Sequence, residues 1–236
     1  MKKILVLTYN TDPHTDSVCN YFNQNNVEFL RINTNQFIGN YKIKFDSKKA
    51  NFEIRTKEDN FVIDKNWNIW NRRILNPELP KDFPKDLQEI VFTETKRTLE
   101  GMLFAHKGKI INDPKSNYNA NNKIDQLNFA RNYKKGIHIP KTLITNNPED
   151  LKEFYNSNKK ICHKLQRMQL IERDGNYLTN YNAIVKKRDL KNSELIKNYP
   201  CLFQKYIDKN YELRITALEN KVIGIAIHSQ NSELSK

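Results

Sequence analysis

Phe203-Gln204-Lys205-Tyr206-Ile207, running on to Tyr211-Glu212-Leu213-Arg214, is the stretch on which the reading of this chain turns. Its second half has the pattern of a β-strand. Side chains alternate along a strand, so Glu212, Arg214 and Thr216 share one face and Leu213, Ile215 and Ala217 the other. A carboxylate and a guanidinium on one face of an otherwise apolar strand are costly to bury without partners. The ribose hydroxyls and phosphates of a nucleotide suit that pair, and the segment leading into the strand suits an adenine.

The rest of the chain reads as alternating α and β segments. Residues 3–8 are an apolar run ending in Thr8-Tyr9-Asn10, a buried parallel strand with its exit loop. Asp16 is the expected cap of a helix carrying Val18, Tyr21 and Phe22, and Val27–Ile32 is a second strand, which completes a βαβ unit. Tyr41–Phe45, Phe52–Arg55 and Phe61–Ile63 alternate as a small antiparallel meander. Asn68-Ile69-Trp70 is a further strand, followed by Asn71-Arg72-Arg73. A long helix is predicted over Asp86–His106 with Leu87, Val91, Leu99, Met102 and Leu103 as its apolar stripe, stopped by Gly108, and Ile110-Ile111 follows as a short strand.

The polar, turn-rich run Asn112–Asn122 reads as a domain linker. Beyond it a helix starts at Asn122-Lys123, with Ile124, Leu127, Phe129 and Ala130 as its expected buried side and Gly136 as its terminating signal. Lys141–Thr145 is a strand. Asn147-Pro148-Glu149-Asp150 is a helix start, with an Asn cap, Pro at the first helical position and acids in the first turn. Lys160–Lys164 is a strand, Asp174-Gly175-Asn176 a hairpin-like turn, and Ser193–Lys197 a helix. Two final strands, Tyr211–Leu218 and Val222–His228, join at Glu219-Asn220.

Composition narrows the partners. Forty Lys and Arg against 27 Asp and Glu give a formal charge of +13 in 236 residues, which favours anionic or acidic partners. Cys19, Cys162 and Cys201 are widely spaced and odd in number, as expected of a reducing cytoplasm rather than a disulfide framework. No histidine stands at zinc-ligand spacing from them. The apolar run after Met1-Lys2-Lys3 is too short for a signal peptide or a membrane span. Nucleic acid is not the expected partner, because charge is its only support and no zinc-finger, RRM or helix-turn-helix signature is present.

Several residues are candidates for chemistry. Lys123, at a helix entry, and Lys164, on a strand, precede the Phe203–Arg214 stretch and can hold phosphates from two sides. Arg72-Arg73 follow a strand at its carboxyl end, the edge where open α/β sheets take ligands, and can grip a carboxylate or phosphate or form an ion pair between domains. His14 and Asp16 lack a nearby nucleophile, so loop capping is their expected role. Neither a G-x-G-x-x-G nor a G-x-x-x-x-G-K phosphate loop occurs, which argues against Rossmann and P-loop nucleotide binding.

The order of these segments resembles the ATP-grasp ligases of the microviridin, or graspetide, peptide-maturase type, which are similar to the ligases that add glutamate to a ribosomal protein. The matching segments are Asp12-Pro13-His14-Thr15-Asp16, Trp70-Asn71-Arg72-Arg73, Asn122–Leu127, Gly136–Asn146, Phe203–Ile207 with Tyr211–Arg214, and Ala226-Ile227-His228-Ser229-Gln230. The resemblance implies an α/β protein with an α+β lid: a βαβ pre-ATP-grasp domain at 1–113, a central lid subdomain at 114–199, and the start of the C-terminal ATP-grasp subdomain at 200–236. By resemblance, Lys123 and Lys164 bind the phosphates of ATP. Gln204, Tyr206 and Ile207 form the adenine linker, Glu212 contacts the ribose, and Arg214 is the catalytic residue that stabilises phosphate charge in transfer. Arg72, Arg73, and Tyr177 and Thr179 of the Ile171–Asn180 hairpin region are the expected contacts to an acidic precursor peptide, and a homodimer is compatible with the family.

The implied reaction phosphorylates an Asp or Glu side chain of a ribosomally made peptide. A Ser or Thr hydroxyl or a Lys amine then closes an ester or amide ring. Magnesium shares the phosphate charge, and in the family its ligands (an Asp, a Glu and an Asn) lie beyond the position of Ser229-Gln230. The present sequence stops at Lys236. The expectation is therefore a fragment, a natural truncation or a divergent member, with no metal ligand assigned in it. The alternative function is a non-catalytic module that binds nucleotide or precursor peptide.

Overall fold

Every residue from Leu5 to Thr8 is buried, Leu5 and Leu7 toward one face of a sheet and Val6 and Thr8 toward the other. A strand covered on both faces belongs in a parallel sheet, and β1 (Lys3–Thr8) is flanked by two parallel partners, β2 (Phe29–Asn33) and β6 (Trp67–Asn71). The computed structural model describes residues 3–49, 51–133, 136–166, 170–173, 176–179 and 182–231. These fall into two units, Met1–Asn121 and Asn122–Lys236.

In the first unit the sheet order is β2-β1-β6-β7, with β7 (Ile110–Ile111) parallel to β6. Helix α1 (Pro13–Gln24) connects β1 to β2. Its cap is Asp12, whose side chain accepts from the His14 N–H, not Asp16, which lies inside the first turn. Asp12-Pro13 carries the same acceptor-then-proline signal that was legible at Asn147-Pro148, one turn earlier than expected. After β2 comes a single irregular turn, α2 (Phe37–Asn40), in which Gly39 takes φ +81°. The meander is present as β3 (Lys42–Asp46), β4 (Asn51–Arg55) and β5 (Asn60–Ile63).

Helix α3 (Lys85–Ala105) buries Leu99, Met102 and Leu103 in one core with Leu5, Leu7, Ile32, Ile54, Ile63 and Ile69. Leu87, at its other end, is exposed, so only the C-terminal half of the expected stripe is used. Gly108 is needed for close approach: a Cβ there would stand 2.3 Å from the Trp67 carbonyl oxygen. The run expected to be a linker holds a helix, α4 (Pro114–Ala120), capped by Asp113 through the Ser116 N–H.

The second unit begins with α5 (Lys123–Asn132), capped by Asn122, which accepts from the N–H groups of Ile124 and Asp125. Its expected apolar side is not buried: Ile124 is 52% and Phe129 69% exposed. A four-stranded sheet follows in the order β12-β9-β13-β8, comprising β8 (Thr142–Thr145), β9 (Ile161–Lys164), β12 (Ala183–Ile184) and β13 (Cys201–Lys205). One face is covered by α6 (Pro148–Asn158) and a 3-10 segment, Asp189–Asn198, through Leu151, Ile161, Cys201 and Phe203. Because β13 lies between β9 and β8, the sheet runs across the expected division at residue 200.

Two hairpins complete the unit. β10 (Leu170–Arg173) pairs with β11 (Asn176–Thr179), and β14 (Glu212–Leu218) with β15 (Lys221–Ile227). The turn residues Asp174 and Gly175, and Asn180, lie outside the described residues. The β14–β15 turn has Glu219 in the left-handed region at φ 52°.

Candidate nucleotide site

The site is built on the face of the β9–β13 pair that points away from α6. Lys164 sits opposite Leu202, so its side chain reaches diagonally to Gln204, and its Nζ donates to Gln204 Oε1 at 2.7 Å. Lysine only donates, which fixes the amide with its oxygen toward Lys164. Gln204 Nε2 then donates to Thr142 Oγ1 at 2.9 Å, and Thr142 donates to the Pro140 carbonyl at 2.9 Å. Three strands thus hold one ammonium group in a defined place.

Past β13 the chain leaves the sheet. Its last tie is the Tyr206 N–H donating to the Lys160 carbonyl at 2.9 Å. The Lys160 ammonium lies 4.0 Å from the centre of the Tyr206 ring and 3.0 Å from Asp208 Oδ1. Ile207 is 56% exposed. An exposed aliphatic residue beside an anchored aromatic one offers a base both an apolar surface and main-chain groups.

Glu212 opens β14. Lys209 Nζ at 2.5 Å and Ser229 Oγ at 2.9 Å both donate to its Oε1, which leaves Oε2 for another donor. Hydrogen bonds from Lys209 and Ser229, with the charges of Lys209 and Lys164, hold its carboxyl below the ordinary glutamate value despite a small opposing effect of burial. Lys164 and Gln204 are joined directly, while Glu212 is held by Lys209 and Ser229.

The other expected residues are more dispersed. Lys123 donates to Gln126 Oε1 on its own helix at 3.1 Å, and among the described residues no hydrogen bond or ion pair joins it to Lys164, Gln204 or Glu212. Arg214 is exposed on β14 opposite Ile225, on the face of Glu212. Tyr177 and Thr179 lie on β11, opposite Glu172 and Leu170. Arg72 and Arg73 belong to the first unit, where both their N–H groups donate to the Leu7 carbonyl at 3.1 Å. Sequence reading missed Thr142, Lys160, Lys209 and Ser229 as site residues, although Thr142 and Ser229 stood in segments already singled out. Among the described residues no group of three or more His, Cys, Asp or Glu is gathered to hold a metal. No helix among them is long and apolar enough to cross a membrane.

The class is that of the ATP-grasp fold with an N-terminal pre-ATP-grasp unit. Over 99% of its length the chain superposes on 71% of a Chryseobacterium gregarium RiPP-associated ATP-grasp ligase, solved with ADP and a leader and core peptide, at 28% identity and TM-score 0.86. It covers 76% of the macrocyclase MdnC of Microcystis aeruginosa MRC, solved with the precursor peptide MdnA, at 26% identity and TM-score 0.89 over 97% of this chain. The macrocyclase MdnB of the same organism is matched over the same shares at 25% identity and TM-score 0.79. More narrowly, residues 3–119 match the MvdD pre-ATP grasp domain. No curated protein matches the sequence.

Proposed function

We propose that the protein takes part in ATP-dependent maturation of a ribosomally made peptide, activating an Asp or Glu side chain as an acyl phosphate and joining it to a hydroxyl or amine as an ester or amide cross-link. The bond from Lys164 to Gln204, on the strand that leads into the Tyr206–Ile207 segment, is the observation that carries this reading. Two matched ligases solved with peptide, one of them also with ADP, support it.

ATP supplies the phosphoryl group that turns a carboxyl into an electrophile. Lys164, fixed by Gln204, is the cation for its phosphates, with Lys123 as the second. The linker at Gln204, Tyr206 and Ile207 receives the adenine. Glu212 stays ionised at neutral pH and accepts from a ribose hydroxyl at Oε2. Arg214, on the same strand face, is the guanidinium that stabilises charge on the phosphoryl group in transfer. Arg72, Arg73, Tyr177 and Thr179 are the peptide contacts. Magnesium is expected to share the phosphate charge, although the described residues offer no carboxylate cluster for it. The alternative reading is that the chain binds nucleotide and peptide without transfer.

Incubation with ATP, magnesium and a candidate acidic precursor, followed by mass spectrometry of the peptide, separates the two. Loss of one or more waters is the expected result. Tight peptide binding with no mass change would overturn the ligase reading for this chain and leave the binding one.

A further inference from the structure

The first unit carries a second polar constellation that the nucleotide site does not use. In the order β2-β1-β6-β7, the connection after β1 runs to a strand on one side, while β6 lies on the other. Chain leaving β1 and chain leaving β6 therefore diverge at their carboxyl ends, and such a switch point opens a crevice for ligand. Asp12 follows β1 and Arg72 follows β6, and they meet at this edge with Arg72 Nε 3.4 Å from Asp12 Oδ2. Asp12 is fully buried, and Thr8 and Thr15 donate to the same oxygen at 2.9 and 3.0 Å. Burial pushes its carboxyl up, but the hydroxyls and the Arg72 charge outweigh that and hold it below the ordinary aspartate value. Next to it the exposed Arg73 guanidinium lies 5.9 Å from the centre of the Tyr9 ring and forms no ion pair among the described residues.

We infer that this carboxyl edge is a recognition site for a peptide carboxylate, with Arg73 and the outer nitrogens of Arg72 as its donors and Asp12 as the positioning residue that aims Arg72. Using its Nε on Asp12 leaves Arg72 its terminal nitrogens, and the stack on Tyr9 limits the sweep of Arg73. Two guanidinium charges set against one buried carboxylate leave a single positive charge, which matches a carboxylate better than a doubly charged phosphate. The inference rests on the proposed function, which gives Arg72 and Arg73 to the peptide, and adds the carboxylate they take and the role of Asp12.

The test titrates the full chain with C-terminally amidated triglutamate and triglutamine and with inorganic phosphate by calorimetry at low salt, with ATP titrated separately. Triglutamate is expected to bind, triglutamine not, and phosphate is expected to compete poorly. Arg73→Gln should weaken triglutamate about tenfold and leave ATP affinity unchanged. Asp12→Asn should weaken triglutamate as Arg72→Gln does, and the double variant should be no worse than either alone; a merely structural Asp12 would give additive losses. Equal binding of triglutamine, equal competition by phosphate, or full triglutamate affinity in Arg73→Gln would overturn the inference. Retained ATP binding and water loss in that event would leave the proposed function standing, whereas loss of ATP binding by the unaltered chain would sink that function and not this site.

Discussion

The two units contrast in how they hold their candidate site side chains. The first sets its polar edge on a sheet buried on both faces, with eleven buried apolar residues in one cluster. The second has a cluster of four, and its β14–β15 hairpin is exposed on both faces, with Leu213, Ile215, Ile223 and Ile225 all at least 60% exposed. Glu212 and Arg214 ride on that hairpin, while Lys164 and Gln204 ride on the packed sheet. The candidate side chains thus sit on a well-packed sheet in the first unit and are divided between a packed sheet and an exposed hairpin in the second. Orientation at the Glu212 end then depends on local bonds, those from Lys209 and Ser229, more than on packing.

The largest effect should come from removing core. Leu99 is fully buried, and Leu99→Ala should cost about 2–5 kcal/mol in denaturant unfolding of the first unit. Leu213→Ala, at a side chain 60% exposed, should stay within about 0.5 kcal/mol. Comparable losses at the two sites would erase the contrast.

A smaller, pH-dependent difference sharpens it. Asp12 is held below 3.8 in the fold, so it adds stability above that pH and loses the contribution as pH falls through its folded value. The melting temperature of the first unit should drop in acid below about pH 3.8, and Asp12→Asn should flatten that part of the profile. A profile unchanged by the substitution would remove Asp12 from the account. Glu212 is also depressed, but it is largely exposed, so acid should act there mainly on nucleotide affinity.

Much of the fold was legible because its signals are local. The buried run of β1, the alternation of the meander, and the caps at Asn122 and Asn147-Pro148 each depend on a few adjacent residues. Burial was less legible. The apolar positions of α5 and β14 predict a covered face, yet Ile124, Phe129 and Leu213 are exposed, because a pattern shows which face is apolar and not what covers it. The Lys164–Gln204 bond was out of reach for another reason: it depends on a register between strands 40 residues apart in sequence. Asp12 was hidden by Asp16, a second acid in position to cap the same helix.

Calorimetric titration of ATP into the unaltered chain and into the Lys123→Ala/Lys164→Ala double variant bears most directly on the nucleotide site. The account predicts binding by the unaltered chain and a loss of about tenfold or more in the variant, with the melting temperature nearly unchanged. No binding at millimolar ATP, or equal affinity in both proteins, would contradict it.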